Sequence, residues 1–326
     1  MSETDTNRIG LHEAISKSCT ENKFFTKNSI HSALSSIAEI LEENKLVEWI
    51  SGYRNFDSCK IPNKTIGVVM AGNIPLVGIH DFLCVLISGN RFLGKLPRND
   101  CFLLPALANI LTGIDKRYAE YIIFTADKIQ GFDAVIATGS NNTSRYFEYY
   151  FGKYPHIIRK NRNSIAVING HETEEELTAL TEDMFLYFGL GCRNVSKIFV
   201  PAGYNFFRLT EACNQFSDYL NHNNFRNNYD YYKTIFLMNN QAFIDGGFYI
   251  LQENKLLQNP VSVFHFEYYT DISEVQCFIT DSKENLQCIV GNMAEIPGII
   301  PFGKAQKPQL GDYADNIDTI EFLLKL

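Results

Sequence analysis

The chain has 326 residues, of which 45% are hydrophobic and 20% are charged, with a formal net charge of −8 and an isoelectric point near 5.4. This composition is that of a globular protein with a sizeable core, and it excludes an intrinsically disordered chain. The acidic balance argues against nucleic acid or an anionic membrane surface as the main partner, so a pocket for an anionic cofactor has to be locally basic.

The cysteines and the apolar runs indicate the compartment. No two of the eight cysteines form a C-x-x-C pair, so we expect reduced thiols without a disulfide framework, and we expect no metal site. The first residues, MSETDTNRIG, lack the apolar core of a signal peptide, and the run IPLVGIHDFLCVLI is too short to span a bilayer. We therefore predict a cytoplasmic protein with no integral membrane segment.

The first half of the chain predicts helices followed by an alternation of strands and helices. Apolar residues recur every three or four positions between residues 10 and 51, which is typical of helices. The elements predicted next are the strand TIGVVMA, a helix from Leu76 to Ile87, the strand RFLGKL, the helix CFLLPALANIL, the strands AEYIIFTA and DAVIATGS, and the helix SRYFEYYF. This order predicts an α/β fold with a doubly wound, mostly parallel sheet covered on both faces.

The second half predicts a further lobe of strands and helices. SIAVI is a predicted strand, and HETEEELTALTEDMFLYF is a predicted helix whose first turn carries the acidic residues that the helix dipole favours. The pattern then predicts the strand KIFVP, a helix over residues 205–222, the strands SVFHFEYY and VQCFIT, and a tail that ends in a short strand or helix.

Three segments could carry chemistry, and each has two interpretations. There is no G-x-G-x-x-G motif and no Walker A motif. Gly139 and Ser140, at a strand–helix junction, form either a turn with a helix cap or an anion site. Asn73 is either a turn residue or an amide donor to an oxyanion. Cys192 in FGLGCRNVSK is either a small apolar residue or an activated thiol, and its glycines and Arg193 favour the thiol.

Taken in order, these segments resemble the aldehyde dehydrogenase superfamily over roughly residues 60–205. AGNIPL is similar to the family's oxyanion segment, which implies that Asn73 donates its amide. GNRFLGKLPRN resembles the strand whose lysine, here Lys95, contacts the adenosine ribose. GCRNVSKIFV resembles the nucleophile segment, with Cys192 in the catalytic place. ATGS resembles the turn on the phosphate side of the cofactor, formed here by Thr138, Gly139 and Ser140.

One departure from the family pattern indicates the reaction. Hydrolytic members carry a glutamate general base upstream of the cysteine, and in HIIRKNRNSIAV that position falls on Ile158 or Arg159. No acidic residue occurs between Pro155 and Asn169. Without a base to activate water, an acyl-cysteine would persist until hydride or a thiol attacks it. The segments RKNRNSIAV and GCRNVSKIFVP are most similar to the acyl-CoA (fatty-acyl) reductase branch, which includes the reductase subunit of bacterial luminescence systems.

Two further positions bear on the cofactor. NAD-preferring members place an acidic residue three positions after the lysine, whereas this chain has Arg98, which could pair with a 2′-phosphate or could simply be a surface arginine. We therefore predict NADPH, with NADH as the alternative. The resemblance also places Leu256 where the family has a glutamate at the nicotinamide ribose, and Glu253 is nearby.

The resemblance implies a shortened aldehyde-dehydrogenase-like fold and an acyl-CoA reductase. We expect an N-terminal helical segment (1–60), a dinucleotide-binding lobe (61–170), a smaller α/β catalytic lobe (171–295) and a C-terminal tail returning to the cofactor lobe (296–326). The expected reaction reduces an acyl-CoA or acyl-carrier-protein thioester to an aldehyde through acyl-Cys192. The alternatives are a CoA-acylating aldehyde dehydrogenase working oxidatively and a non-catalytic member of the fold. Homo-oligomerisation is left open.

Overall fold

The computed structural model describes residues 3–53 and 63–326 and divides the chain into two compact units. The first unit consists of Met1–Asn161 together with Gln309–Leu326, and the second consists of Arg162–Pro308. Each unit contains a sheet with helices packed against it. Among residues 3–53 and 63–326, no helix has both the length and the apolar content that crossing a bilayer requires.

The helices and strands follow one another along the chain as the α/β prediction requires. The helices are α1 (Glu3–Glu21), α2 (Lys27–Ile40), α3 (Glu43–Ser51), α4 (Ile79–Ile87), α5 (Leu103–Ile114), α6 (Asn141–Phe151), α7 (Glu174–Phe185), α8 (Phe207–Cys213), α9 (Asn223–Met238), α10 (Ile272–Asp281) and α11 (Thr319–Leu324). The strands are β1 (Thr65–Val69), β2 (Arg91–Lys95), β3 (Ile122–Thr125), β4 (Ala134–Thr138), β5 (His156–Arg159), β6 (Asn163–Val167), β7 (Val195–Pro201), β8 (Ile244–Asp245), β9 (Ile250–Glu253), β10 (Val263–Tyr269) and β11 (Leu286–Val290).

The sheet of the first unit has the strand order β3-β2-β1-β4-β5, and its neighbouring strands run parallel. Successive side chains of a strand point to opposite faces. Ile66 and Ile136 accordingly join the core formed with α1, α4, α5 and α11, whereas Val135 and Ala137 pack with Phe147 of α6 on the other face. Both faces are therefore covered, and the predicted doubly wound parallel sheet is confirmed.

This strand order places three predicted site segments at one edge of the first sheet. The chain turns from one side of the sheet to the other between β1 and β4, and ligands of such folds bind beyond the carboxyl ends of the strands at that point. MAGN follows β1, LPRN follows β2 and GSN follows β4. The carboxyl ends of three neighbouring strands thus carry the residues predicted to bind the cofactor and the oxyanion.

The sheet of the second unit is mixed, with the strand order β11-β6-β7-β10-β9-β8. Only the short pair β8–β9 is antiparallel among its ladders in the described residues. Ile165 and Phe199 pack towards Val275 of α10, and Phe185 of α7 packs on Phe264, with ring centroids 4.8 Å apart. The nucleophile segment enters this sheet as its central strand β7.

Local propensity gave one wrong element and left others unpredicted. VQCFIT, predicted as a strand from its β-branched residues, lies within helix α10. The Asp271 carboxylate accepts the Ser273 N–H at 2.8 Å, and Glu274 reaches back to the Asp271 N–H, so a capping box starts a helix there. Ile272, Val275 and Phe278 then form one apolar face. Strand β5 and helix α9 were not predicted, and the helix expected over 205–222 is α8 followed by a 3₁₀ segment, Asn214–Asn221.

Candidate active site

Cys192 lies on a tight turn, residues 191–194, immediately before β7. Asn194 closes this turn from both sides, because its N–H donates to the Gly191 carbonyl at 3.0 Å and its Oδ1 accepts the Gly191 N–H at 2.8 Å. Its Nδ2 donates to the carbonyls of Asp183 and Leu186, at 3.0 and 2.9 Å. Cys192 is partly exposed at the corner of this turn. The backbone that presents the thiol is therefore held by one buried amide side chain.

The backbone that leads into this turn is strained. Tyr187 and Phe188 both have left-handed backbone angles, with φ of 55° and 59°, and both side chains are buried. Such conformations cost about 1–3 kcal/mol each in residues other than glycine, and they persist only where packing holds them. Phe188 stacks on Tyr219 and His222, with ring centroids 4.3 and 4.5 Å away. Aromatic packing thus holds the backbone that enters the turn at residues 191–194, which carries the predicted nucleophile (the nucleophile turn).

Ser164 on β6 links the nucleophile turn to a second thiol. Its hydroxyl donates to the Cys192 carbonyl at 2.9 Å, so it can only accept from the Cys288 N–H at 3.2 Å and from the Cys288 thiol, whose Sγ lies 3.0 Å away. Burial raises the pKa of the Cys288 thiol to about 11. Cys288 is therefore a protonated donor. Sequence reasoning missed Ser164, although a serine within the apolar strand SIAVI was a signal for it.

Asp183 of α7 anchors the segment that contacts Arg193. Its carboxylate accepts the Gly303 N–H at 2.6 Å and the Ala305 N–H at 3.0 Å, and the Arg193 guanidinium lies 3.4 Å from the Ala305 carbonyl. Asp183 is fully buried, and burial raises its pKa to about 7 despite these N–H donors. The residue after the thiol is thus supported by a loop more than a hundred positions further along the chain, which no local pattern could indicate.

Asn73 lies on the loop between β1 and α4, and its side chain is exposed. The loop packs against the segment after β2, since a Cβ added to Gly72 would lie 2.9 Å from Cβ of Pro97. The Leu76 N–H donates to Asp100 Oδ2 at 2.8 Å. The structure therefore brings the predicted oxyanion segment together with the predicted ribose segment within the first unit.

The predicted cofactor residues of that second segment differ in exposure. Lys95 ends β2 and is partly exposed, with its carbonyl accepting the Met70 N–H at 3.3 Å. Arg98 follows on the loop with an exposed side chain. Both cationic side chains lie beyond the carboxyl end of β2, which is the edge where the sheet order favours a ligand.

The ATGS turn joins β4 to α6 as the sequence predicts. Ser140 is the N-cap of α6, and its Oγ accepts the Thr143 N–H at 3.2 Å. Gly139 has no room for a side chain, because an added Cβ would lie 2.9 Å from the Phe147 ring and 3.0 Å from Thr143. Thr138 is the last residue of β4. The turn thus has a helix cap, and the N-terminal end of α6 is oriented to favour an anion.

Arg159, one of the two residues that the resemblance places at the position of the hydrolytic base, belongs to a buried ion pair. Arg159 on β5 donates from Nη1 to Asp81 Oδ2 at 2.6 Å and from Nη2 to Thr319 Oγ1 at 2.9 Å. Both charged side chains are buried, with 5% of Arg159 and 5% of Asp81 exposed. This pair ties β5 to α4 and α11, and neither member can activate water.

Leu256, in the place of the family's ribose glutamate, is 64% exposed on a loop with fixed backbone. Its carbonyl lies 2.9 Å from His265 Nδ1, and the buried Lys197 donates to the neighbouring Lys255 carbonyl at 2.8 Å. The Lys197 charge is balanced by Glu267 at 2.6 Å. The exposed apolar side chain is therefore a feature of an ordered loop. Glu253 is exposed at the end of β9.

The candidate residues divide between the two units. Those predicted for the cofactor and the oxyanion lie at one edge of the first sheet, whereas Cys192 belongs to the second unit. The described residues contain no group of three or more His, Cys, Asp or Glu that could hold a metal ion.

Comparisons with known proteins agree on the fold. The model of a family described as LuxC, acyl-CoA reductase, matches residues 8–224, and no curated protein matches the chain. Aldehyde dehydrogenase 21 from Physcomitrella patens is similar with a TM-score of 0.63 and 12% identity, over 98% of this chain and 83% of that chain. PutA, a putative aldehyde dehydrogenase from Anabaena variabilis, gives 0.56 and 13%, over 85% and 71%.

A third similar structure is a mutant of the indole-3-acetaldehyde dehydrogenase AldA from P. syringae, in complex with NAD+ and IAA. Its TM-score is 0.56 at 11% identity, and 73% of this chain matches. The chain covers 58% of that protein, which is less than two thirds of its length. At these identities the likeness establishes a shared aldehyde-dehydrogenase-like fold.

Proposed function

Because the chain belongs to the LuxC family of acyl-CoA reductases, we propose that it reduces an acyl thioester to an aldehyde through an acyl-cysteine at Cys192. The observation that carries this proposal is the nucleophile turn. A partly exposed thiol is held there by Asn194 and Ser164, while the neighbouring Cys288 stays protonated. A nucleophilic cysteine must be accessible to its substrate, and of these two thiols Cys192 is the more accessible, since Cys288 is protonated and largely withdrawn from solvent.

In the first half-reaction the Cys192 thiolate attacks the thioester carbonyl of acyl-CoA or of an acyl-carrier protein, and the coenzyme or carrier thiol leaves. The Asn73 side-chain amide and the Cys192 N–H donate to the oxyanion in this proposal. Removing one such donor typically costs about 2.7–4 kcal/mol of transition-state stabilisation. The stretch between Pro155 and Asn169 has no acidic residue, which supports reduction over hydrolysis, and Arg159 within it is paired with Asp81 in the core of the first unit.

A nicotinamide cofactor, when bound, would supply the hydride for the second half-reaction. Residues of the first unit fit its charged groups, since Gly139 and Ser140 precede the N-terminal end of α6 and Lys95 and Arg98 present cations at the carboxyl end of β2 in the same sheet. We propose that Thr138, Gly139 and Ser140 bind the phosphates and that Lys95 contacts the ribose. Collapse of the reduced acyl-cysteine releases the aldehyde and restores the Cys192 thiolate.

We propose NADPH as the preferred form because an exposed arginine, Arg98, stands three positions after Lys95, where the resemblance gives NAD-preferring members an acidic residue, and it could pair with a 2′-phosphate. Arg98→Glu is expected to weaken NADPH binding about 10-fold, as loss of a charged hydrogen bond predicts, with little change for NADH. Calorimetric titration with each cofactor measures this, and Arg91→Glu is the matched control at the opposite end of β2. Equal losses for both cofactors would contradict the role of Arg98 in selecting the phosphate.

The acyl-enzyme itself gives the decisive test. Incubation with acyl-CoA and no reductant should increase the intact mass by one acyl group. The Cys192→Ala variant should gain nothing, whereas Cys277→Ala, which removes an exposed thiol on α10, should react as the wild type does. A failure of every acyl chain length, from short to long, to form the adduct would overturn the proposal.

A further inference from the structure

The loop that carries Asn73 is held by Asp100, which lies on the segment after β2. Leu76, on this loop, has a left-handed backbone with φ of 59° and a buried side chain. A residue with a Cβ pays about 1–2 kcal/mol for that conformation, so the loop needs a compensating contact. The Asp100 carboxylate supplies it by accepting the Leu76 N–H at 2.8 Å.

A second contact holds the same loop on the other side of Asn73. Gly72 packs on Pro97 at a distance that only glycine allows, and Asn22 at the end of α1 donates to the Gly72 carbonyl at 3.4 Å. Asn73 therefore lies between two backbone positions, 72 and 76, that are each attached to the segment following β2. At position 76 the side chain is buried in the core and the carbonyl accepts the Ile79 N–H, whereas the backbone N–H is held by the Asp100 carboxylate.

Only one of the two carboxylate oxygens of Asp100, Oδ2, accepts the Leu76 N–H. The Asp100 side chain is 6% exposed, and Oδ1 is buried with no hydrogen-bond partner in the part of the chain that the structure describes. Burial raises the pKa of Asp100 to about 6, although the Leu76 N–H acts in the opposite direction. The titratable groups near this segment are Cys101 and Glu21 of α1. Burial raises the pKa of the Cys101 thiol, and the negative charges of Asp100 and Glu21 raise it further. A proton on Oδ1 would leave Oδ2 as a neutral and weaker acceptor.

We propose that Asp100 is a positioning residue for acyl transfer: its ionised carboxylate holds the Leu76 N–H and thereby keeps the Asn73 loop in the conformation that stabilises the oxyanion. This inference rests on the proposed function. It requires the acylation rate of Cys192 to depend on Asp100, whereas the KM for the acyl thioester should change little. It also requires the hold on Leu76 to weaken as the pH falls through about 6.

Hydrogen exchange and acylation kinetics test the two parts separately. In Asp100→Ala, the Leu76 amide should exchange about 10-fold faster, as loss of one hydrogen bond predicts, and single-turnover acylation should slow by about the same factor. The matched control is Asp133→Asn, because Asp133 Oδ2 accepts the Thr65 N–H at 2.8 Å at the opposite end of β1. The control should match the wild type in both measurements.

The Asp100→Asn variant keeps the shape of the side chain and removes its titration. The wild-type acylation rate divided by the Asp100→Asn rate should fall between pH 7 and 5, because ionisation of the Cys192 thiol affects both proteins alike and cancels in this ratio. This comparison remains possible if Asp100→Ala does not fold. If the Leu76 amide of Asp100→Ala exchanges at the wild-type rate, Asp100 does not hold the loop. Faster exchange with an unchanged acylation rate would refute the positioning role. If the wild type forms no acyl-enzyme, the proposed function fails and the positioning role falls with it, while the exchange measurement still decides whether Asp100 holds Leu76.

Discussion

Replacing Arg159 with methionine is expected to destabilise the first unit strongly, because Asp81 would remain buried without its cation. Nη1 of Arg159 lies 2.6 Å from Asp81 Oδ2, and both side chains are withdrawn from solvent. Removing one member of a buried ion pair typically costs about 3–5 kcal/mol. The lost hydrogen bond to Thr319 Oγ1, 2.9 Å from Nη2, adds about 1 kcal/mol. We expect the free energy of unfolding to fall by about 4–6 kcal/mol in total.

The single tryptophan makes this measurement specific to the first unit. Trp49 is buried there, with its Nε1 donating to the Tyr313 hydroxyl at 2.9 Å, so urea unfolding followed by tryptophan fluorescence reports that unit. In the double variant Asp81→Leu/Arg159→Met no charge is left unpaired, and it should be more stable than Arg159→Met alone. The exposed pair Arg117–Asp115 has the same 2.6 Å distance, and Arg117→Met should cause no measurable loss.

Two results would refute this reasoning. A stability of Arg159→Met equal to that of the wild type would mean that the buried pair contributes nothing. A loss of acylation without a loss of stability would mean that Arg159 acts on the substrate, in conflict with its place in the core.

Three further predictions concern the second unit. Ser164→Ala removes the donor to the Cys192 carbonyl, and the acylation rate should fall about 10-fold, as loss of one hydrogen bond predicts. Rapid-quench kinetics measure this rate, and an unchanged rate would mean that Ser164 does not support the turn of Cys192. Iodoacetamide at pH 8 should alkylate Cys192 and spare Cys288, because burial raises the pKa of Cys288 to about 11, and peptide mass mapping would contradict this if both were labelled equally. Burial raises the pKa of Asp183 from 3.8 to about 7, so between these pH values the folded state keeps a proton that the unfolded state loses. The free energy of unfolding should therefore fall by at most about 4 kcal/mol as the pH rises from about 4 to 7. In Asp183→Asn the free energy of unfolding should depend less on pH. Urea titrations at pH 5 and 7.5 measure this, and a difference between the two pH values equal to that of the wild type would contradict the assignment.

The alternating pattern was sufficient to predict four of the five strands of the first sheet, all but β5, because buried parallel strands are continuous apolar runs between polar turns. TIGVV, RFLGK and AVIAT form β1, β2 and β4 as expected. The prediction failed where a short apolar segment was compatible with both the helical and the strand period of hydrophobic residues. VQCFIT has strand composition, yet the Asp271 capping box and the burial of Val275 make it helical. Those contacts depend on neighbours in space, so composition alone could not decide them.

The candidate site shows the same division. The resemblance of four segments indicated Cys192, Asn73, Lys95 and the ATGS turn, because each of these lies within a short contiguous motif that is visible in the sequence. The side chains that hold those motifs were not indicated. Asp100 contacts the loop of Asn73 from 24 positions away, and Asp183 contacts Ala305 from 122 positions away. Such partners share no local pattern, because their proximity is created only when the sheets form.

The amino-acid order by itself determined the α/β class, the parallel sheet and the loops that carry the candidate residues, because strand and helix periodicity and turn composition are local properties. Tertiary structure alone decided which ionisable groups are accessible and which are buried in structural contacts. Burial against Asp81 makes Arg159 part of the core, burial beside Ser164 keeps Cys288 protonated, and the buried Asn194 amide supports the turn that leaves Cys192 partly exposed. The physical reason is that the charge state and accessibility of a side chain depend on solvent and neighbours, which a linear sequence does not contain.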